Sequence, residues 1–408
     1  MDGEVIDMKR IEAVDAIRGF SLFGIFMANL LIFQYGLTGK DHLEYFELHP
    51  LNEGILKGVK IIFESSFLPI FAILFGFSLD RLFQSMKRKQ VKLKRIKLYM
   101  RAFTLIAFGL LHSYFIWEGD ILLAYGIAML FIIPFIGLGK RFFKWVTTLS
   151  ISAALLITSL AVFAPAEEVP APNDVDMQGY LKELKFAYGE GTYANAYQAR
   201  NHLEDPYITE IVSYLEGAGI ILLIAGLLMP IFYYNIGIYL SKSDWFSKNS
   251  NRLLSANLFI FLIPVSIFMK SSIIWMDNKD LASMLHIFFG SVLSFGLIVL
   301  IRNLHTKYRQ NFIFIGFRSM GKLSLTMYIM QSLIATTLFY GYGLGWFGRD
   351  IFGQAVIIFL LVYVFQMFLA TWYTSKFRYG PLEYLLRVAT YFHPKARQWH
   401  FKKEKTSV

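Results

Sequence analysis

The stretch His112-Ser-Tyr-Phe-Ile-Trp-Glu-Gly-Asp120 places an imidazole and a carboxylate on either side of a break between two apolar runs. The runs abut at Trp117-Glu118-Gly119-Asp120, so the chain must reverse tightly there and bring His112 and Asp120 near one another. A carboxylate beside an imidazole fixes its tautomer and stabilises its charged form, which a general base requires. A structural reading competes with this one: His112 closing one helix and Asp120 capping the next, with 118–120 as a plain turn. A metal site is not expected. His112 and His286 are ligand types, yet no paired histidine motif accompanies them, and the chain has no cysteine.

Other polar groups fall inside apolar segments, where an ionisable side chain is expensive and usually faces a bundle interior or a water-filled cavity. Asp15 and Arg18, three residues apart, share a helix face and can pair. Small residues follow them (Gly19, Ser21, Gly24) and permit close helix packing. Asn29 lies farther along the same run. Glu64, His112, Asp120 and His286 are expected at a depth similar to that of Asn29, toward the opposite face. Asn235, Gln331 and Gln366 are further amides within spans, and Pro69, Pro134, Pro230 and Pro264 imply kinks.

These residues need long apolar helices to hold them. Hydrophobic residues make up 56% of the 408 and charged residues 17%, below the roughly 25% usual for soluble domains. The composition excludes a soluble multidomain enzyme. The absence of cysteine excludes disulfides, thiolate metal sites and cysteine nucleophiles. Apolar runs of about 20 residues predict an all-α, polytopic bundle of about ten transmembrane helices, near 14–35, 59–83, 99–118, 119–138, 142–164, 213–241, 252–274, 281–300, 319–342 and 351–376. The first run reads as a retained span rather than a cleaved signal.

Residues 81–101 hold nine Lys and Arg and no acid, which fixes that loop (84–98 between spans) in the cytoplasm. Counting from it places both termini inside, including the basic tail 377–408. The loop 165–212 falls outside, and its 165–210 portion holds nine acids against three bases. That loop is too long for a simple connection and reads as a pair of amphipathic interfacial helices, with a dedicated lid as the alternative. The whole chain, 1–408, forms one membrane-embedded domain. Its net charge of +11 sits in short loops, where it reports topology and contact with anionic lipid rather than nucleic acid.

Five segments carry a resemblance to a known family: Asp15-Ala-Ile-Arg-Gly-Phe-Ser-Leu-Phe-Gly-Ile-Phe-Met-Ala-Asn29, Phe67-Leu-Pro-Ile-Phe-Ala-Ile-Leu-Phe-Gly76, Gly109-Leu-Leu-His with Gly-Asp-Ile-Leu122, Gly321 to Ser332, and Tyr379-Gly-Pro-Leu-Glu-Tyr-Leu-Leu-Arg387. The chain resembles the YeiB-like family of bacterial membrane proteins, a domain of unknown function, over nearly its whole length. That family is similar to a wider group of multispanning acyltransferases that share the Asp-x-x-Arg-Gly opening. The resemblance implies the bacterial cell membrane, a cytoplasmic acyl-CoA such as acetyl-CoA as co-substrate, an acceptor across the membrane and a membrane-embedded catalytic His. His112 is the residue in position for that role. The O-acyltransferase branch places a His about ten residues after the first-helix Arg; here Asn29 stands there, as in the glucosaminide-type branch.

The expected function is acyl transfer from a cytoplasmic thioester to a hydroxyl or amine of a small molecule or glycan on the outer side. Arg18, with Asp15, would hold the anionic donor. His112 oriented by Asp120 would be the base, and Asn29 and Gln331 would donate to the oxyanion, with Glu64 and His286 as further substrate-side groups. No bound cofactor or metal is expected, and oligomerisation stays open. A small-metabolite transporter is the alternative, although no internal symmetry between two halves is visible. A non-catalytic membrane scaffold is the third reading.

Overall fold

The computed structural model describes residues 11–163, 176–206, 209, 218–246 and 252–391. All regular elements among them are helical. The helices are α1 (Glu12–Tyr35), α2 (Pro50–Phe63), α3 (Phe67–Arg88), α4 (Lys94–Phe115), α5 (Leu122–Ile132), α6 (Lys140–Phe163), α7 (Met177–Lys185) and α8 (Tyr193–His202). They continue as α9 (Ala218–Lys242), α10 (Arg252–Lys270), α11 (Ser272–Trp275), α12 (Lys279–Tyr308), α13 (Phe312–Lys322), α14 (Ser324–Phe339), α15 (Phe352–Lys376) and α16 (Pro381–Tyr391).

Five segments among the described residues are long and apolar enough to cross a membrane: Glu12–Tyr35, Pro50–Arg88, Lys140–Leu160, Lys279–Tyr308 and Phe352–Lys376. Leu122–Ile132, Phe259–Trp275 and Ser324–Phe339 are shorter apolar helices. Three expected continuous spans are interrupted. The run 59–83 breaks at Glu64-Ser65-Ser66, where Ser65 takes a φ of 59° and separates α2 from α3. The run 319–342 breaks at Leu323, between α13 and α14. The run 119–138 is helical only to Ile132: Ile133 still has helical backbone, but Pro134 has no N–H to continue the ladder.

Helix α1 is the axis of the bundle. Most of its side chains are buried, and it packs against α2, α3, α12, α13, α14 and α15. Its crossing with α13 is close enough to require two glycines. A Cβ on Gly19 would lie 2.0 Å from the Phe317 carbonyl oxygen, and one on Gly321 would lie 1.9 Å from that of Asp15. The small-residue reading of Gly19 is thereby given its partner. Rings stack along the other faces of α1, with Phe26 on Phe359 at 4.0 Å and Phe33 on Trp117 at 4.1 Å.

The two ends of the bundle differ chemically. At one end, Arg18 of α1 meets Ser78 in the second half of α3, ahead of the basic segment 81–101; this is the basic end. The far end carries Lys40, Glu64, His112 and the segment 176–206. Within that segment α7, a π-helical turn at Phe186–Glu190 and α8 dock on the α4–α5 hairpin and on residues 340–347. The rest of the expected outer loop and the tail beyond Tyr391 lie outside the described residues.

Candidate active site

Helix α4 ends just after His112, and its last carbonyls have no partner of their own within the helix. The His112 carbonyl accepts from the backbone N–H groups of Ile116 and Trp117, at 2.8 and 2.9 Å, which turns the chain sharply. Asp120 then sits before α5. Its Oδ1 accepts from the Leu123 N–H at 2.8 Å, and its Oδ2 lies 2.7 Å from His112 Nδ1. The cap and the imidazole partner expected as rival roles for Asp120 are thus both filled, one by each oxygen.

A carboxylate oxygen facing a ring nitrogen makes that nitrogen the donor, so Nδ1 carries the hydrogen and Nε2 keeps the lone pair of the neutral ring. His112 is 2% exposed, and its Nε2 is buried without a hydrogen-bond partner among the described residues. Burial of both partners strengthens the pair and lowers the chance that water competes for it. Tyr328 of α14 closes the site. Its ring lies 5.3 Å from the His112 ring, and its hydroxyl accepts from the Ile121 N–H at 3.3 Å. Trp117, fully buried, packs edge-on to His112 and stacks on Phe33. Asn29 lies one turn before Phe33 on the same side of α1.

Other expected site residues separate into distinct clusters. Gln331 of α14 is buried and donates one amide N–H to Gln366 of α15 at 3.0 Å, a helix–helix contact. Glu64 and His286 do meet, with Oε2 and Nε2 3.7 Å apart, but at the α2–α3 break and in the company of lysines. Lys40 Nζ bonds both Glu64 Oε1 at 2.7 Å and Asp41 at 2.6 Å, and Lys60 also bonds Asp41. Burial opposes charge on Lys40 and Asp41, yet their mutual attraction prevails; Lys40 is held above its ordinary pKa and Asp41 below its own.

At the basic end, Arg18 Nη1 lies 3.3 Å from Asp15 Oδ1 and 3.3 Å from the Gly321 carbonyl, and Nη2 donates to Ser78. The expected Asp15–Arg18 pair is therefore formed. It opens on a cavity of 430 Å³ whose charged lining comprises Arg18, Arg81, Arg101 and Lys322 against Asp15 and Glu383. Four cations face two carboxylates in the lining, and one of the four, Arg81, is also paired with Asp244 at 3.0 Å. Glu383 is itself engaged: it accepts from the Leu325 and Thr326 N–H groups and the Thr326 hydroxyl, capping α14. Among the described residues no carboxylate bonds Arg101. The cavity is thus suited to an anion.

Sequence reasoning did not single out Tyr328, Arg81, Arg101, Lys322, Lys40 or Lys270 as site residues. Arg81 and Arg101 were visible as the ends of the basic run, and Lys270 as a charge beside an apolar run. Among the described residues no group of three His, Asp or Glu side chains is arranged to hold a metal ion.

The architecture is that of a helical protein with membrane-length apolar helices, a buried His–Asp pair and a cationic cavity. Residues 239–393 match the family described as protein of unknown function DUF418. Over 98% of both chains the sequence is 26% identical to the uncharacterized protein YxaH of Bacillus subtilis. It is 25% identical to the uncharacterized protein YeiB of Escherichia coli, over 94% of this chain and 97% of that one. It is 23% identical to an uncharacterized 39.9 kDa protein of Bacillus acidopullulyticus encoded in an amylase 3' region, over 96% of each. Together these similarities support the YeiB-like family read from the motifs. No solved structure matches the chain.

Proposed function

We propose that this protein is a membrane acyltransferase that moves an acyl group from a cytoplasmic acyl-CoA-type thioester to a hydroxyl or amine on the outer side of the bacterial cell membrane. The observation that carries the reading is the buried His112–Asp120 pair, whose free Nε2 is held as a lone pair. In this reading about ten spans cross the bilayer with both termini inside, so the basic end faces the cytoplasm.

The anionic part of the donor enters the 430 Å³ cavity and is held by Arg18, Arg101 and their cationic neighbours. From Arg18 to the level of Phe33 and Trp117 is roughly 22 Å along α1, at about 1.5 Å per residue. A donor gripped at Arg18 must therefore carry its thioester on a long flexible arm, as coenzyme A does. His112 Nε2 takes the proton from the acceptor as its oxygen or nitrogen attacks the thioester carbonyl. The C–S bond breaks, and the leaving thiolate receives a proton in turn. Asp120 stabilises the imidazolium in between. Asn29 and Gln331 are the amides that would donate toward the oxyanion, Gln331 with the second amide hydrogen that its bond to Gln366 leaves.

The test is genetic and chemical together. In a deletion strain, acyl groups on outer-envelope glycans are measured after complementation with wild type and with His112→Ala. Wild type should restore them and the variant should not. Full restoration by His112→Ala would overturn the assignment.

A further inference from the structure

A second cluster of ionisable groups stands at the α2–α3 break, and acyl transfer makes no use of it. It begins at the surface. Asp41 is half exposed and bonds Lys40, whose Nζ lies 2.7 Å from Glu64 Oε1. Glu64 Oε2 lies 3.7 Å from His286 Nε2, on a histidine only 5% exposed. The groups form a file from the far-end surface into the bundle, with charge alternating along it.

The inner end of the file is mismatched in one protonation state. His286 Nδ1 lies 3.2 Å from the Lys270 carbonyl oxygen, and a carbonyl only accepts, so Nδ1 holds the hydrogen. In the neutral ring Nε2 is then an acceptor. Among the described residues it is buried without a hydrogen-bond partner, and it faces the Glu64 carboxylate, which is also an acceptor. A proton on Nε2 turns that contact into a charge-assisted donor–acceptor pair. The charged groups facing His286 are Glu64 from the break, Lys60 from α2 and Lys270 from α10. Lys270 is fully buried, and its ammonium bonds the Glu64 carbonyl at 2.6 Å and the Ser66 hydroxyl rather than a carboxylate. It therefore clamps the exposed carbonyl left by the helix break and leaves the Glu64 carboxylate to Lys40 and His286.

We propose that Glu64 and His286 form a proton-binding site inside the bundle, at the inner end of the file that begins with Asp41 and Lys40. The proton comes from water and sits on His286 Nε2. Glu64 is its counter-ion, and Lys40 competes with it for the same carboxylate.

The full-length protein, purified in detergent with ¹⁵N-labelled histidine, tests this by imidazole NMR. His286→Gln identifies the resonance among the eight histidines. In the wild type that resonance should shift from neutral to imidazolium values as the pH falls from about 8 to about 3. Glu64→Gln should lower its midpoint by about one pH unit or more, a tenfold loss of proton affinity, because the counter-ion is gone. Lys40→Met should raise the midpoint, because a competing cation is gone. Opposite shifts in the two variants support the site. A resonance that stays neutral throughout overturns it, as do midpoints that fail to move or that move together. If Glu64→Gln does not fold, the wild-type titration and the Lys40→Met shift decide the matter on their own.

Discussion

Arg200 of α8 and Glu118 of the α4–α5 hairpin lie 3.4 Å apart between Nε and Oε2, with the arginine side chain 1% exposed. The same guanidinium reaches the Tyr114 carbonyl through Nη1 at 3.3 Å, where Asn201 also donates, while Tyr193 donates to the Phe115 carbonyl at 2.7 Å. These are the carbonyls that α4 leaves unpaired at its C-terminus. Segment 176–206 is therefore the cap of the helix that carries His112, and Tyr188 adds a hydrogen bond to Glu118 Oε1 at 3.1 Å.

Removing Arg200 takes from Glu118 its cation and from the Tyr114 carbonyl one of its two donors, while the bonds from Tyr188, Asn201 and Tyr193 remain. Arg200→Ala should destabilise the protein by roughly 2–4 kcal/mol, in the range of a broken buried pair. Glu118→Gln on that background should cost much less than it does alone, since the partner is already lost. Thermal unfolding of the four proteins in detergent completes the cycle. A coupling energy indistinguishable from zero would show that the two residues do not act together.

Asp120→Asn separates chemistry from stability at the hairpin. The Leu123 N–H requires an acceptor, so the amide oxygen of the asparagine is locked toward it. Its NH₂ group is then turned on His112 Nδ1 and forces the hydrogen onto Nε2, the wrong tautomer for a base. The cap survives, so stability should change by less than about 1 kcal/mol, while the proposed acyl transfer should fall by roughly 10²–10⁴-fold. Activity within a factor of two of wild type would remove Asp120 from the mechanism.

The hairpin was legible in the sequence because two apolar runs met at four residues, leaving His112 and Asp120 nowhere else to go. Asp15 and Arg18 were legible for the same reason, through helical spacing alone. Tyr328, Arg200 and Lys270 were not, because periodicity gives the face of a helix but not the helix it meets. Tyr328 lies 207 residues from the Ile121 N–H that it accepts from. Gln331 was singled out by its polarity, but its partner Gln366, 35 residues on in another helix, was not readable from spacing. The helix break at Ser65 had its signal in Pro69, which has no N–H for the Ser65 carbonyl four residues back. The early end of α5 had such a signal in Pro134.

The crossing of α1 with α13 gives a packing prediction that also touches the cavity. Gly321→Ala sets a methyl 1.9 Å from the Asp15 carbonyl oxygen, an overlap with backbone that no rotamer relieves. Overpacking of this kind costs roughly 1–3 kcal/mol. The helices must separate, which pulls the Gly321 carbonyl away from Arg18 Nη1. A lowered Tm in detergent, together with weaker protection of Arg18 by an anionic ligand such as coenzyme A, is expected. An unchanged Tm would mean that the crossing is looser than described.

The Lys40–Asp41–Lys60 contacts at the far end make a pH prediction whose sign follows from their shifts. Asp41 is held below its ordinary pKa, so its contribution is complete above its unfolded value, near 3.9, and is lost as pH falls through the lower folded value. Lys40 is held above its ordinary pKa, so its contribution is complete below about 10.4 and is lost as pH rises through the higher folded value. Both contributions are therefore constant across the neutral range and fail only at its acid and alkaline limits. Asp41→Asn removes the acid-side loss: its Tm should lie below that of wild type by the same amount from about pH 5 to pH 9, and the difference should shrink below about pH 4 as the wild type loses the same charge. A difference that grows on acidification would contradict the pairing of Asp41 with the two lysines.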